Sequence, residues 1–445
     1  MQQDTVIGGA MAPPTFGEAL RVWAKIGLVS FGGPAGQIAL MHKMLVDERK
    51  WIDEQRYLNA LNFCMLLPGP EAMQLATYVG WRLHGLKGGL AAGLLFVLPG
   101  AVMMLALSML YAAYGKLPVS EALLTGVKAA VLAVVVEALL RIAKRALKSN
   151  VDWLLGAAAF IAIYLFAVPF PVIVLAAALF GFFRGMAAKS PPAVAATAKA
   201  TTDAPVSAGR TLATAALWLA IWVVPLAGIA LAYGRDHVLT QIGIFFSKLA
   251  VVTFGGAYAV LAYMREAVPR DFGWLNKLEM VDALGLAETT PGPLILVTQF
   301  VGFLGALRKG GGDPYLMGTL GAVVTTWATF APCFLWIFVG APYIERLNSE
   351  PRLKAALAAV TAAVVGVILN LTVTFAIDVL SPKSVERWIG PLKLYLPDFA
   401  SLNWLAVALS ALAIGLTFKL HRSIIETLAV CGGLALALHF AGVVG

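Results

Sequence analysis

The residues "SFGGPAGQ" at Ser30–Gln37 set two glycines and a proline inside an apolar run, and "TFGGAYAV" at Thr253–Val260 does the same in the second half of the chain. A shift of 223 positions lays Phe31-Gly32-Gly33 on Phe254-Gly255-Gly256, Trp51 on Trp274, and the "PGP" of Pro68–Pro70 on that of Pro291–Pro293. Lys25 then falls on Lys248 and Ser30 on Thr253. The steps from Phe to Trp (20 residues) and from Trp to Pro (17 residues) are equal in both copies. Beyond the insertion "RKGGGDPY", an offset of 233 aligns Pro99 with Pro332 and "VKAAV" at Val127–Val131 with "VTAAV" at Val360–Val364. The pattern predicts two homologous halves, 16–185 and 237–445.

The solvent follows from composition. Of 445 residues, 60% are hydrophobic and 13% charged. A soluble chain carries about 25% charged residues, so this one is short of the charge needed to cover a water-facing surface. Apolar runs of about 20 residues, the length that crosses a bilayer, recur from end to end. An all-α polytopic membrane protein is expected, and no removable signal peptide is read at the start. The net charge of +9 fits Lys- and Arg-rich cytoplasmic loops; with no sizeable soluble domain, nucleic acid is excluded as a partner. Cys64, Cys333 and Cys431 lie far apart in apolar segments, which argues for packing and against a disulfide or metal site.

The stretch 186–210 is a polar, Pro/Ala/Thr-rich linker, and 211–233 is one further hydrophobic segment before the second copy. The basic block "RIAKRALK" at Arg141–Lys148 should be cytoplasmic, as should the linker. The first half then begins and ends inside. The single span 211–233 inverts the second half, giving a cytoplasmic N-terminus, a periplasmic C-terminus and about 13 membrane segments counted as six, one and six. Inverted repeats of this kind belong to secondary transporters. Whether the FGG and PGP elements span or re-enter is left open by the sequence.

Breaks in hydrocarbon leave backbone groups unpaired at several kcal/mol each, so they persist only where protein, water or ligand satisfies them. A half-helix start offers free N–H groups and the positive end of its dipole, an anion site. Glycine lets the backbone approach the ligand closely. Substrate contacts are therefore expected from Gly32, Gly33, Gly69, Gly255, Gly256 and Gly292, with hydroxyls from Ser30, Thr253, Thr289 and Thr290. Lys25 and Lys248, costly in lipid, would add charge for a doubly negative oxyanion. Gln37, Gln74, Thr77, Thr298 and Gln299 are weaker candidates. Glu71, Glu137 and Glu288 are candidates for proton coupling, with structural ion pairs as the plainer reading. No catalytic, metal or cofactor motif is present.

The FGG pair, "LLPGPEAMQLATYVGWRLHG" at Leu66–Gly85 and "TTPGPLILVTQFVGFLGA" at Thr289–Ala306 resemble the chromate ion transporter family, in its long two-domain bacterial form. The resemblance covers nearly the whole chain apart from the linker. It implies export of chromate across the bacterial inner membrane, driven by the membrane potential or a proton gradient, conferring chromate resistance, with thirteen spans. Ala257 in place of Pro34 and Leu294 in place of Glu71 depart from symmetry. Sulfate is the rival substrate, and a passive channel or an intramembrane enzyme are the rival classes. The partners expected are the oxyanion and the bilayer, with a homodimer left open.

Overall fold

The computed structural model describes residues 14–31, 33–187, 208–254, 256–344 and 350–442. Most of the linker expected at 186–210 lies outside them, as do Gly32 and Gly255.

Helix α1 (Phe16–Val29), α2 (Gly33–His42, continued as a π-turn Lys43–Glu48) and α3 (Glu54–Cys64) lead to α4 (Glu71–Tyr114). Thr15 caps α1 and Asp53 caps α3, each accepting from an amide in the first turn. Non-helical backbone at His84 and Gly85 folds α4 into two legs. The legs lie back to back, with Gly80 pressed on the backbone of Gly88, where any Cβ would collide. Small residues permit this close approach between membrane helices.

The first half therefore doubles back twice. The ring of Phe16 at the start of α1 meets His84 at the far end of the first leg of α4, 5.5 Å between centroids. Ser30, Phe31 and Gly33 mark one tip and Met65–Pro70 form the other. The second half repeats the design with α9 (Val238–Val252), α10 (Ala257–Ala267, continued as a π-turn Val268–Phe272), α11 (Lys277–Thr289), a 3-10 turn (Leu294–Leu296) and α12 (Val297–Lys309). Phe245 in α9 touches both Phe272 and Trp274 at 5.0 and 5.7 Å. Arg308 at the end of α12 pairs with Glu279 at the start of α11, 2.6 Å. The FGG and PGP elements are the tips of helical hairpins, the re-entrant alternative that the sequence left open.

The second leg of α4 passes from Gly85 to Gly100, which packs on Pro291, and on to Tyr111, whose hydroxyl donates to Asp282 (2.7 Å). Helix α13 (Pro314–Gly340) runs the counterpart course, from Gly318 on Phe303 to Cys333 at Gly69 and Gly340 on Phe63. Each long helix thus begins beside the hairpin mouths of one half, crosses the level of the tips and ends beside the hairpins of the other.

The remaining helices interlock the halves. α5 (Pro118–Ala146) packs on α15 (Trp404–Ile414) and α16 (Ile424–Phe440), while α14 (Pro351–Leu380) packs on α6 (Asn150–Tyr164) and α7 (Phe170–Ala187). Glycines mark the crossings: Gly126 against Cys431, Gly156 against Gly366 and Gly181 against Ala355. Cys431 is a packing residue, as expected. α8 (Ala208–Tyr233) lies at the edge against α9 and α13.

Among the described residues, α4, α5, α8, α13 (with its short continuation to Tyr343) and α14 are long and apolar enough to cross a membrane; α6, α7, α9, α15 and α16 are shorter apolar helices. The chain is an all-α multi-pass membrane protein with one addition the sequence did not announce. Strands β1 (Val385–Ile389) and β2 (Leu392–Leu396) form an antiparallel hairpin after α14.

Candidate functional site

The tips of the two halves meet and exchange backbone hydrogen bonds. Gly69 N–H donates to the carbonyl of Thr253 (3.0 Å), and Gly292 N–H donates to that of Ser30 (2.8 Å). Each PGP tip therefore closes on the FGG tip of the other half. The backbone demands glycine here: φ is +71° at Gly33, +108° at Gly69, +86° at Gly256 and +86° at Gly292, a region that other residues reach only with strain.

Behind these tips begin four helical segments: α2, α4, α10 and the 3-10 turn. Their first turns border a small, partly open hollow, walled by Pro34 and Gln37 from α2, Pro70 and Glu71 from α4, Ala257 from α10, and Pro293 and Leu294. No side chain caps the starts of α4, α10 or the 3-10 turn. Helix starts carry amides without intrahelical acceptors and the positive end of the peptide dipole. Four such ends border the one hollow.

The hollow is chemically lopsided. The Glu71 carboxylate faces the start of α10: a Cβ built on Gly256 would sit 3.4 Å from its Oε1. The matching wall position is Leu294. Gln37, fully buried, donates from Nε2 to the carbonyl of Gly292 (2.5 Å) and to that of Ser30 (3.4 Å), while its Oε1 has no partner among the described residues. Ser30 is also buried with a free hydroxyl. Gln74 braces its own tip by donating to Pro68 O (2.7 Å), and Cys333 lies against Gly69.

Other expected residues are placed elsewhere. Lys25 and Lys248, expected as a lysine pair in the site, lie on exposed faces of α1 and α9 and are not among the residues that wall the hollow. Both helices bury the opposite face, Trp23 and Ile26 in one and Phe246 and Leu249 in the other. Position in the sequence located the lysines near the breaks, but helix phase turned them outward. Thr289 and Thr290 spend their protons on Leu286 O and Ala287 O at the frayed end of α11, and Thr253 on Leu249 O. Thr77 and Thr298 likewise bond back to Met73 O and Ile295 O, and Gln299 donates to Ala101 O.

Of the acids, Glu288 accepts from the Tyr258 hydroxyl (2.9 Å), and Glu137 pairs with Arg141 one turn on. Arg141 and Glu137 sit within electrostatic range of both Glu288 and Tyr258. Tyr258 escaped the sequence reading because its partner lies on another helix.

The two halves are packed unequally. Nine of the eleven residues of α10 are buried, but only Gln37 and Met41 of the ten in α2. α10 packs on α14 and α11 on α5. The far end of α10 is locked further by buried Arg265, which pairs with Asp378 of α14; Tyr395 of the β-hairpin donates to the same carboxylate.

Comparison with known proteins accords with this double architecture. A family model described as "Chromate transporter" matches twice, over residues 17–182 and 240–437. A chromate transport protein of Pseudomonas aeruginosa is 34% identical over 377 residues, 82% of this chain and 83% of the relative. One of Cupriavidus metallidurans is 30% identical over 383 residues (84% and 86%), and a probable chromate transport protein of Synechococcus elongatus is 30% identical over 354 residues (78% and 81%). No solved structure matches the chain. With both halves matched and relatives aligned over most of their length, this multi-pass membrane protein belongs to the chromate transporter family, a family of transporters rather than enzymes.

Proposed function

We propose that the chain exports chromate, a small tetrahedral dianion, across the bacterial inner membrane by alternating access, and binds it in the hollow between the four helix starts. The observation that carries this reading is the reciprocal pair of tip bonds, Gly69 to Thr253 and Gly292 to Ser30, which holds uncapped amides of both halves around one point. A dianion accepts many hydrogen bonds and gains from several aligned dipoles. Direct substrate contacts are assigned to the backbone at Gly33 and Gly256, to the amides that follow the Gly69 and Gly292 tips, and to the free hydroxyl of Ser30; Gly69 and Gly292 themselves close the tips. The names of the relatives from Pseudomonas and Cupriavidus support chromate over sulfate.

The halves, 16–185 and 237–445, are read as repeats of opposite orientation. The span 211–233 provides the reversal, and the N-terminus is assigned to the cytoplasm and the C-terminus to the periplasm. The course of α4 and α13, each leaving the hairpins of one half and ending at those of the other, supports it. The unequal packing of α2 and α10 supports a molecule at one end of its cycle, open beside the first half and shut beside the second. Glu71 is assigned the coupling role: its carboxylate occupies the space beside Gly256 that an anion would enter, so protonation admits the substrate and deprotonation expels it.

Inside-out vesicles containing the protein test the reading. Chromate should accumulate above its equilibrium level when a potential or proton gradient is imposed, and excess sulfate should compete weakly. Gradients that stop at equilibrium would indicate a channel, and full displacement by sulfate would make sulfate the substrate.

A further inference from the structure

Helix α5 carries two arginines that the hollow itself does not use, and their depth is unexpected. The block Arg141–Lys148 reads as a cytoplasmic marker, yet α5 threads past the second half's hairpins before reaching it. Lys128 pairs with Asp282 of α11 (2.9 Å), and Val127 and Val131 pack on Gly285. About three turns on, Arg141 comes within electrostatic range of Glu288 and Tyr258, residues beside the second half's two tips. One turn further, the Arg145 guanidinium rests on the sulfur of Met65 (2.7 Å), which ends α3 just before the Gly69 tip. Both arginines therefore stand at the level of the tips, well short of the hairpin mouths.

Their surroundings are open. Arg141 is 46% exposed in its side chain and Arg145 is exposed, and α2 likewise leaves Ala35, Gly36 and Ala39 exposed. A thioether is a weak acceptor, and among the described residues no carboxylate pairs with Arg145. An unpaired guanidinium at this depth is costly unless it meets water or an anion. The Arg145 charge lies within electrostatic range of Glu71 on the wall of the hollow.

We propose that Arg145, with Arg141 beside it, forms a second oxyanion station at the entrance to the hollow. The planar fork of a guanidinium matches two oxygens of a tetrahedral dianion. Arg145 takes the ion first; Arg141, half neutralised by Glu137, is the weaker partner. Transfer from the station to the helix starts passes Glu71, which admits the ion when protonated. The proposal rests on the hollow being the transport site and adds the step before it.

The test uses the full-length protein in proteoliposomes, with initial rates of chromate uptake measured across substrate concentration. R145Q should raise KM by roughly threefold to tenfold, the scale of one partly screened charge, with kcat retained, and R145K should restore KM. E137Q, which releases Arg141, should move KM the opposite way. An unchanged KM in R145Q, or failure of R145K to rescue it, overturns the station. A KM effect confined to bilayers containing anionic lipid and absent in zwitterionic lipid also overturns it, because the guanidinium would then be serving a lipid phosphate. Equilibrium chromate binding to G69A is measured in parallel. Retained binding there removes the hollow reading, whereas lost binding with a wild-type KM in R145Q removes only the station.

Discussion

The amide of Gly292 donates to the carbonyl of Ser30 across 2.8 Å, joining the PGP tip of the second half to the FGG tip of the first. Its mirror, Gly69 to Thr253, joins the other pair. A helix end buried in a bilayer must have its polar groups satisfied. These two bonds satisfy the carbonyls at the ends of α1 and α9 while leaving the amides of the following helix starts turned inward. The same contact that makes the breaks tolerable brings the helix starts of both halves together.

The tip glycines are therefore expected to resist substitution. Gly69→Ala and Gly292→Ala force a Cβ into a left-handed conformation at a cost of about 1–3 kcal/mol each. At Gly69 the added carbon would also press on Cys333 Sγ at 3.0 Å. Both variants should lower Tm and abolish chromate binding in an equilibrium assay. Gly433→Ala, in α16 with nothing within 4 Å, is the control and should leave both intact.

Glu71→Gln keeps the shape of the wall and removes its charge. Uptake rate measured from pH 5 to pH 8 should lose most of its pH dependence, while affinity at the wild-type optimum changes little. A pH profile that matches wild type would assign Glu71 a structural role.

Lys25→Ala and Lys248→Ala, singly or together, should leave the KM for chromate at its wild-type value. Exposed charges on the outer faces of α1 and α9 are too far out of phase to contact the ion. A raised KM in the double variant would bring the lysines back into the transport path.

Arg265 and Asp378 are both buried, and Arg265 also reaches the carbonyl of Thr374 (3.2 Å). Removing one partner of a buried ion pair costs about 3–5 kcal/mol because the other charge is stranded. Asp378→Ala should reduce Tm sharply in a thermal-shift assay. The apolar pair Arg265→Met with Asp378→Leu should recover most of the loss.

The β-hairpin is held by charge. Burial pushes the Glu386 carboxyl up, but the Lys277 hydrogen bond and the Lys393 and Arg265 charges outweigh it and hold the group below its usual range. A depressed carboxylate stabilises the fold fully above its unfolded value of about 4.3, and the contribution is lost as pH falls through the lower folded value. Hydrogen exchange at Arg387 and Leu394 amides should lose protection below about pH 4, and Glu386→Gln should lack that transition.

The family, the membrane setting, the duplication and the break points were all legible in the chain, because composition and the Phe–Trp–Pro spacing are one-dimensional properties. Gly69 and Gly292 were identifiable as special because only glycine and proline write backbone conformation into sequence. The direction of the lysines was not legible for the converse reason: Lys25 lies five residues before Ser30, and which way it faces depends on what α1 packs against. Arg145, Tyr258 and the Arg265–Asp378 pair were unreadable because their partners come from distant helices. Whether the breaks span or double back was likewise decided only by tertiary contacts, Phe245 with Phe272 and Trp274 in one half and Phe63 with Gly340 in the other. Sequence fixes where a helix must stop, since that is a matter of local backbone chemistry. Which helix starts then share a hollow is decided by packing across the two halves, and no local rule encodes that.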